Sequence, residues 1–169
     1  KEIKSIDRVL KNGKKPITAI IGGAKISSKI TVIENLLDRI DYLILGGGMV
    51  YTFIKAEGGE IGDSICEDDF CEYSKKINEL AQQKGVKLLL PEDVVIGNEF
   101  SGKAEINLSS VYKIPPGWQG LDAGPDSIKT FAQIIQKSNT ILWNGPIGVF
   151  ELEPFSNGTK KLGEEIVKR

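Results

Sequence analysis

Histidine is absent from the 169 residues of the chain. No imidazole can therefore act as a general base, complete a Ser-His-Asp triad or ligate a metal ion. The two cysteines, Cys66 and Cys71, are too few for a disulfide framework, and their spacing matches no common zinc motif, so we expect free thiols. Any chemistry must rely on lysines, carboxylates, backbone amides or a metal ion that arrives with a ligand.

An excess of charge of either sign is also lacking, with 22 basic and 23 acidic residues. Nothing in this balance favours a nucleic acid or an anionic membrane as a partner. No apolar run approaches the roughly 18 residues that a membrane helix needs, and the lysine-rich start has no signal-like core behind it. We therefore expect a cytoplasmic protein, and a length that suits one domain over residues 1–169.

Short apolar runs alternate with segments of helical periodicity. The apolar runs are residues 17–21, 42–45, 86–90 and 140–143, and their content is typical of strands buried on both faces. The predicted helices are residues 27–40, 68–84 and 126–137. This alternation predicts a three-layer α/β/α fold around a mostly parallel, Rossmann-like sheet.

Residues 94–111 interrupt this alternation. A Gly97-Asn98 turn signal lies between strand-like pieces around Ile96 and at residues 104–108. We expect a small antiparallel excursion at the edge of the sheet. The Pro-Pro-Gly run at residues 115–117 then precedes the next helix.

Glycine accounts for 19 of the 169 residues, above the usual ~7%. Glycines follow three of the predicted strands, at residues 22–23, residues 46–48, and Gly145 with Gly148. Tight turns alone can explain any one of these sites. Three of them at the ligand-binding edge of a parallel sheet favour a bound ligand. Neither the G-x-G-x-x-G fingerprint nor the Walker motif is present.

Two lysines, Lys25 and Lys29, lie where the first predicted helix begins. The partial positive charge of a helix start disfavours basic residues, and the next acid along the chain is Glu34. An anion such as a phosphate, held by turn amides and both ammonium groups, explains the pattern. If helical geometry reached back to Lys25, the four-residue separation would place both amines on the same face of the helix. The alternative is two solvated lysines.

The sequence resembles the phosphoglycerate kinase family over nearly its whole length. Five segments carry the resemblance, in family order: Gly22-Gly23-Ala24-Lys25 with Lys29; Gly46-Gly47-Gly48-Met49 with Tyr51-Thr52-Phe53; Leu90-Pro91-Glu92-Asp93-Val94; Gly117-Trp118-Gln119-Gly120-Leu121-Asp122 with Gly124-Pro125; and Trp143-Asn144-Gly145-Pro146-Ile147-Gly148-Val149-Phe150-Glu151. The resemblance implies phosphoryl transfer between 1,3-bisphosphoglycerate with ADP and 3-phosphoglycerate with ATP, in a usually monomeric glycolytic enzyme that uses Mg²⁺.

The resemblance also assigns roles to matching positions. Lys25 would be catalytic and steady the transferred phosphoryl group, Lys29 would hold the nucleotide phosphates, and Glu151 would bind the ribose hydroxyls. The remaining nucleotide-binding residues would be Gly23, Ala24, Gly47, Gly48, Ile65, Phe100, Gly120, Leu121, Asn144, Pro146, Gly148 and Val149.

The same resemblance implies that parts of the family enzyme lie outside this chain. Residues 1–12 would be the end of the interdomain helix, and the amino-terminal domain that holds 3-phosphoglycerate would precede it. A carboxyl-terminal segment with the final strands and the aspartate for Mg²⁺ would follow Arg169. We therefore expect this chain alone to lack turnover.

Some residues and functions keep a second interpretation. Glu67, Asp68 and Asp69 could hold a metal ion, but helix capping is the expected role, so we predict no metal site there. Trp118 and Trp143 are expected to pack rather than bind ligand, and Phe100 fits either role. A non-catalytic adenine-nucleotide-binding module, a purely structural domain and a nicotinamide-dependent dehydrogenase are the alternative functions. The missing glycine fingerprint disfavours the last.

Overall fold

A computed structural model describes residues 11–168 of the chain. The strands are β1 Ile17–Ile21, β2 Tyr42–Leu45, β3 Glu60–Ile61, β4 Lys87–Leu89, β5 Asp93–Gly97, β6 Ile106–Ser110, β7 Lys113–Ile114, β8 Gln119–Ala123 and β9 Thr140–Asn144. The helices are α1 Ile30–Leu36, α2 Val50–Ala56, α3 Cys71–Gln83, α4 Pro125–Lys137 and α5 Asn157–Lys168, with 3₁₀ turns at Ile26–Ser28, Asp68–Phe70 and Glu153–Phe155. The predicted interdomain helix of residues 1–12 lies outside the described residues except for its last two, which are helical.

A parallel sheet of strand order β4-β2-β1-β9 forms the centre of the fold. All five residues of β1 are buried, because the strand sends alternate side chains to two cores. Ile17, Ala19 and Ile21 belong to one core, and Ile20 to the other. The predicted strands of this sheet are confirmed.

Helices cover both faces of this sheet and complete three layers. On one face, Ile33 of α1, Phe53 of α2 and Ile77 of α3 join the larger core. On the opposite face, Phe131 of α4 and Leu162 of α5 pack against Ile20 and Ile44. The predicted α/β class and layer arrangement are therefore confirmed.

The antiparallel excursion is confirmed, but it forms a separate sheet of order β6-β5-β8. Strand β8 was not predicted, since its sequence Gln-Gly-Leu-Asp-Ala contains residues that are rare in strands. The short parallel pair of β3 and β7 was not predicted either.

The first predicted helix, residues 27–40, is shorter and divided. The 3₁₀ turn Ile26–Ser28 precedes α1, and Lys29 between them has a non-helical φ of −118° and ψ of 3°. Lys25 is extended, with φ −132° and ψ 128°. Helical geometry therefore does not reach back to Lys25, and the two lysines do not share a helical face.

Candidate functional site

A cleft of about 380 Å³ opens where β1, β2 and β9 end. Its lining combines glycine backbone, apolar side chains and a few polar groups: Gly23, Ala24, Gly47, Gly48, Tyr51, Asp63, Ile65, Phe100, Gln119, Gly120, Leu121, Asp122, Pro146, Ile147, Gly148, Val149 and Glu151. The carboxyl end of a parallel sheet is where ligands bind in folds of this class.

The strand ends meet backbone to backbone at this edge. Gly47 has a φ of +78°, and a side chain there would collide with the backbone of Gly23. Gly145 has a φ of +86°, and a side chain there would collide with the carbonyl of Gly22. Packing between turns therefore explains part of the glycine excess, and this packing brings the three strand ends together around the cleft.

All predicted nucleotide-binding residues except Lys29 and Asn144 line this cleft. Ile65, Leu121 and Val149 give it apolar walls, and Phe100, which is 60% exposed, adds an aromatic surface. Apolar walls beside glycine backbone suit a flat heterocycle.

Lys29 and Asn144 are joined to each other beside the cleft. The Lys29 Nζ donates to Asn144 Oδ1 at 2.5 Å, although the two residues are 115 positions apart. The Lys29 side chain passes close to Gly23, which lines the cleft. A positively charged group is thus held next to the lining.

Lys25 lies outside the cleft lining, and its side chain is exposed. It follows Ala24, which lines the cleft, and its carbonyl oxygen accepts hydrogen bonds from the backbone N–H and Oγ of Ser28 at 3.2 and 2.8 Å. The Lys29 side chain therefore bonds to a predicted site residue, Asn144, whereas the Lys25 side chain extends into solvent next to the lining residue Ala24.

An acid distant in sequence lies at the start of this 3₁₀ turn. Ser27 donates to the Glu67 carboxylate from its backbone N–H at 3.1 Å and from its Oγ at 2.5 Å. Glu67 makes no side-chain capping bond at its own helix start, where Asp68 and Asp69 occupy the first turn. Asp68 instead pairs with Lys55 at 2.6 Å.

Sequence reasoning missed five residues of the lining: Tyr51, Asp63, Gln119, Asp122 and Ile147. The most unusual is Asp122, which is 2% exposed. Its carboxylate accepts the N–H groups of Ala123 and Gly158, each at 2.9 Å. Burial raises the pKa of Asp122 to about 7, and these two hydrogen bonds oppose the rise. No local sequence signal reveals this, since desolvation depends on the tertiary fold.

Both tryptophans pack, as predicted. Trp118 lies against the larger core, and Trp143 lies against the smaller one. The Trp143 Nε1 donates to the carbonyl of Gly145 at 2.7 Å, which fixes the turn after β9.

The family model described as phosphoglycerate kinase matches residues 1–169. The chain belongs to the phosphoglycerate kinase family. It is 49% identical over 168 residues to a cytosolic phosphoglycerate kinase of Triticum aestivum, covering 99% of this chain and 42% of that protein.

Solved structures of the phosphoglycerate kinase family agree with the fold. The structure from Coxiella burnetii matches with a TM-score of 0.94 and 41% identity, over 99% of this chain and 43% of that one. The structure from Pyrococcus horikoshii OT3 matches with a TM-score of 0.78 and 25% identity, over 98% of this chain and 42% of that one. The chain thus spans less than half the length of these relatives.

Within residues 11–168, every helix is too short or too polar to cross a membrane.

Proposed function

We propose that the cleft binds ADP or ATP and that the chain is the nucleotide-binding half of a phosphoglycerate kinase. The whole enzyme would transfer a phosphoryl group between 1,3-bisphosphoglycerate with ADP and 3-phosphoglycerate with ATP. The observation that carries this proposal is the position of the Lys29 amine, bonded to Asn144 beside an apolar cleft at the carboxyl edge of the sheet.

The cleft divides into regions that suit the parts of a nucleotide. Adenine would lie between the apolar walls formed by Ile65, Leu121 and Val149. Glu151, an exposed carboxylate of the lining, would accept hydrogen bonds from the ribose hydroxyls. The phosphates would then extend toward Gly23 and the Lys29 amine, where backbone and ammonium donors are available.

The chemical role of the lysines follows from the charge of the reacting group. Phosphoryl transfer has a loose transition state with charge spread over the equatorial oxygens, so positioned cations assist without a covalent intermediate. We assign Lys29 to the nucleotide phosphates. We assign Lys25 to the phosphoryl group in transfer, which its exposed side chain would reach from the adjoining turn.

Mg²⁺ prefers oxygen ligands in an octahedron, and at a nucleotide it is usually held by one or two carboxylates together with phosphate oxygens and waters. Within residues 11–168, the only group of three or more candidate ligand side chains contains two thiols. Following the family resemblance, we place the aspartate for Mg²⁺, like the 3-phosphoglycerate site, on parts of the enzyme outside this chain. The cytosolic relative supports a cytoplasmic location, and we propose a monomer.

The variant Lys29→Ala tests the proposal by calorimetry with ADP and adenosine. We expect ADP affinity to fall about 10-fold to 100-fold, as for loss of a hydrogen bond to a charged group. Adenosine affinity should change little, because adenosine has no phosphates for the lysine to meet.

Lys129→Ala is the matched control, since Lys129 is an exposed lysine of α4. It should leave both affinities unchanged. Equal losses of ADP and adenosine affinity in Lys29→Ala would contradict a phosphate role for Lys29. Absence of ADP binding by the unaltered chain, at concentrations that saturate a weak site, would contradict the nucleotide cleft itself.

A further inference from the structure

Three metal-ligating side chains converge at a place distinct from the cleft lining. The Cys66 thiol, an Asp68 carboxylate oxygen and the Cys71 thiol all lie within 4.8 Å of one another. The Cys66 Sγ is 3.6 Å from Asp68 Oδ1. The 3₁₀ turn Asp68–Phe70 lies between the two cysteines and brings their thiols together, which their spacing in sequence does not reveal.

Contacts with α2 hold this segment in place. The backbone N–H of Glu67 donates to Thr52 Oγ1 at 3.1 Å, and the Cys71 Sγ lies 3.9 Å from the Thr52 carbonyl oxygen. Cys71 is also the first residue of α3. The three ligand atoms therefore come from a segment fixed by two helices.

All three ligand atoms lie within 4.8 Å of one another, and the separation of Cys66 Sγ from Asp68 Oδ1 fits a tetrahedral metal ion. Zn–S bonds of ~2.3 Å and Zn–O bonds of ~2.0 Å separate two sulfurs by about 3.8 Å, and a sulfur from an oxygen by about 3.5 Å. The distance of 3.6 Å between Cys66 Sγ and Asp68 Oδ1 is close to the second value. Both thiols are free, and both are half-buried, so solvent can supply a fourth ligand.

We propose that Cys66, Asp68 and Cys71 form a binding site for a soft divalent cation of the Zn²⁺ and Cd²⁺ class. Two thiolates select such ions over Mg²⁺, which takes oxygen ligands. Each thiol releases its proton to solvent as its sulfur binds the ion, so no oxidant or reductant is needed. The site does not depend on the proposed nucleotide cleft.

Lys55 competes with a metal ion for the Asp68 carboxylate. Its ammonium nitrogen lies 2.6 Å from Asp68 Oδ1, the same oxygen that accepts from Cys66. A positively charged group thus already occupies the place where the metal would meet the carboxylate. The incoming ion must displace it, so removing the ammonium should strengthen metal binding.

Cd²⁺ titration of the chain, under a phosphine reductant that keeps both thiols reduced, tests the site. We expect one Cd²⁺ per chain with an ultraviolet thiolate-to-metal charge-transfer band. Cys66→Ser and Cys71→Ser should each weaken Cd²⁺ binding by more than ~10-fold, because changes even to the residues around metal ligands cost about 10-fold to 100-fold in affinity. Lys55→Met should tighten it. Asp68→Asn should weaken it, whereas the matched control Asp69→Asn should not.

A second measurement uses the unaltered chain and does not depend on folding of the variants. Zn²⁺ should slow alkylation of both Cys66 and Cys71 by iodoacetamide, as followed by peptide mass. Mg²⁺ at the same concentration should not. The proposal is overturned if Zn²⁺ leaves both alkylation rates unchanged, or if Cys66→Ser takes up Cd²⁺ as tightly as the unaltered chain.

Discussion

Asp122 is a buried carboxylate at the junction of the cleft and α5. It lines the cleft, and it accepts the N–H of Gly158 in the first turn of α5. Burial raises the pKa of Asp122 to about 7, above its ordinary value of 3.8. Tyr51 lies near enough that burial and the Asp122 charge together raise the pKa of its phenol. Compared with the unfolded chain, the folded protein therefore binds the Asp122 proton more tightly.

The raised pKa of Asp122 predicts how stability depends on pH. Because the folded state binds this proton more tightly, the associated stability is present at low pH and is lost as pH rises through about 7. We expect Asp122→Asn to remove this dependence, on the order of 4 kcal/mol between about pH 4 and about pH 8, since each pKa unit corresponds to ~1.4 kcal/mol.

Urea unfolding at several pH values measures the pH dependence of stability in the unaltered chain and in Asp122→Asn. The control is Asp63→Asn, an exposed carboxylate of the same cleft lining, which should leave the pH dependence intact. A dependence in Asp122→Asn as steep as in the unaltered chain would assign the effect to other groups.

Helix α4 begins without a capping side chain of its own, since Gly124 occupies the N-cap position. Asp93 of β5 provides the cap from 33 residues away. Its carboxylate accepts the N–H of Asp126 at 3.1 Å, the N–H of Ser127 at 2.8 Å and the Ser127 Oγ at 2.6 Å. One side chain thus joins the antiparallel sheet to the helix layer.

We expect Asp93→Ala to lower the free energy of unfolding by about 1–3 kcal/mol, because it leaves two helix-start N–H groups without their acceptor. Asp93→Asn, which keeps one acceptor oxygen, should lose less. Asp126→Ala changes an exposed acid of the same helix turn and should cost only a few tenths of a kcal/mol. If urea unfolding shows equal losses of unfolding free energy for Asp126→Ala and Asp93→Ala, Asp93 does not act as the cap.

Elements with a clear local pattern were predictable, and elements held by tertiary contacts were not. The apolar runs of β1 and β2 were predicted with the observed bounds. Helix α2 was missed because five of its seven residues are buried, so it has no polar face to reveal a period. Strand β8 was missed because its pairing with β5, not its composition, makes it a strand.

At the scale of the whole molecule, the proposed nucleotide cleft lies at the carboxyl ends of β1, β2 and β9, and β1 contributes side chains to both cores. The chain spans 42% of its Triticum aestivum relative. Phosphoryl transfer requires both substrates to be held together, and the proposed cleft accounts for one of them. Family membership and the cleft were predictable because their motifs are local. The Lys29–Asn144 bond and the Glu67 cap were not derivable from local spacing, since they join residues 115 and 40 positions apart.

We therefore predict that a polypeptide of these 169 residues binds adenine nucleotide without kinase turnover. A coupled assay of ATP formation from 1,3-bisphosphoglycerate and ADP measures the turnover, with the full-length Triticum aestivum relative as the positive control. Turnover of this chain at an ordinary rate, upward of ~1 per second, would show that the described residues hold both substrates.

The backbone contact of Gly47 with Gly23 has a thermodynamic consequence for any ligand of the cleft. Glycines have no rotamers, and turns that touch one another have little room to rearrange. The glycine turns that line the cleft are therefore preorganised, and a bound molecule immobilises few protein torsions. Most of the entropy lost on binding should come from the ligand itself. Restraining the ligand in its bound conformation should therefore raise affinity more here than in a cleft lined by long side chains.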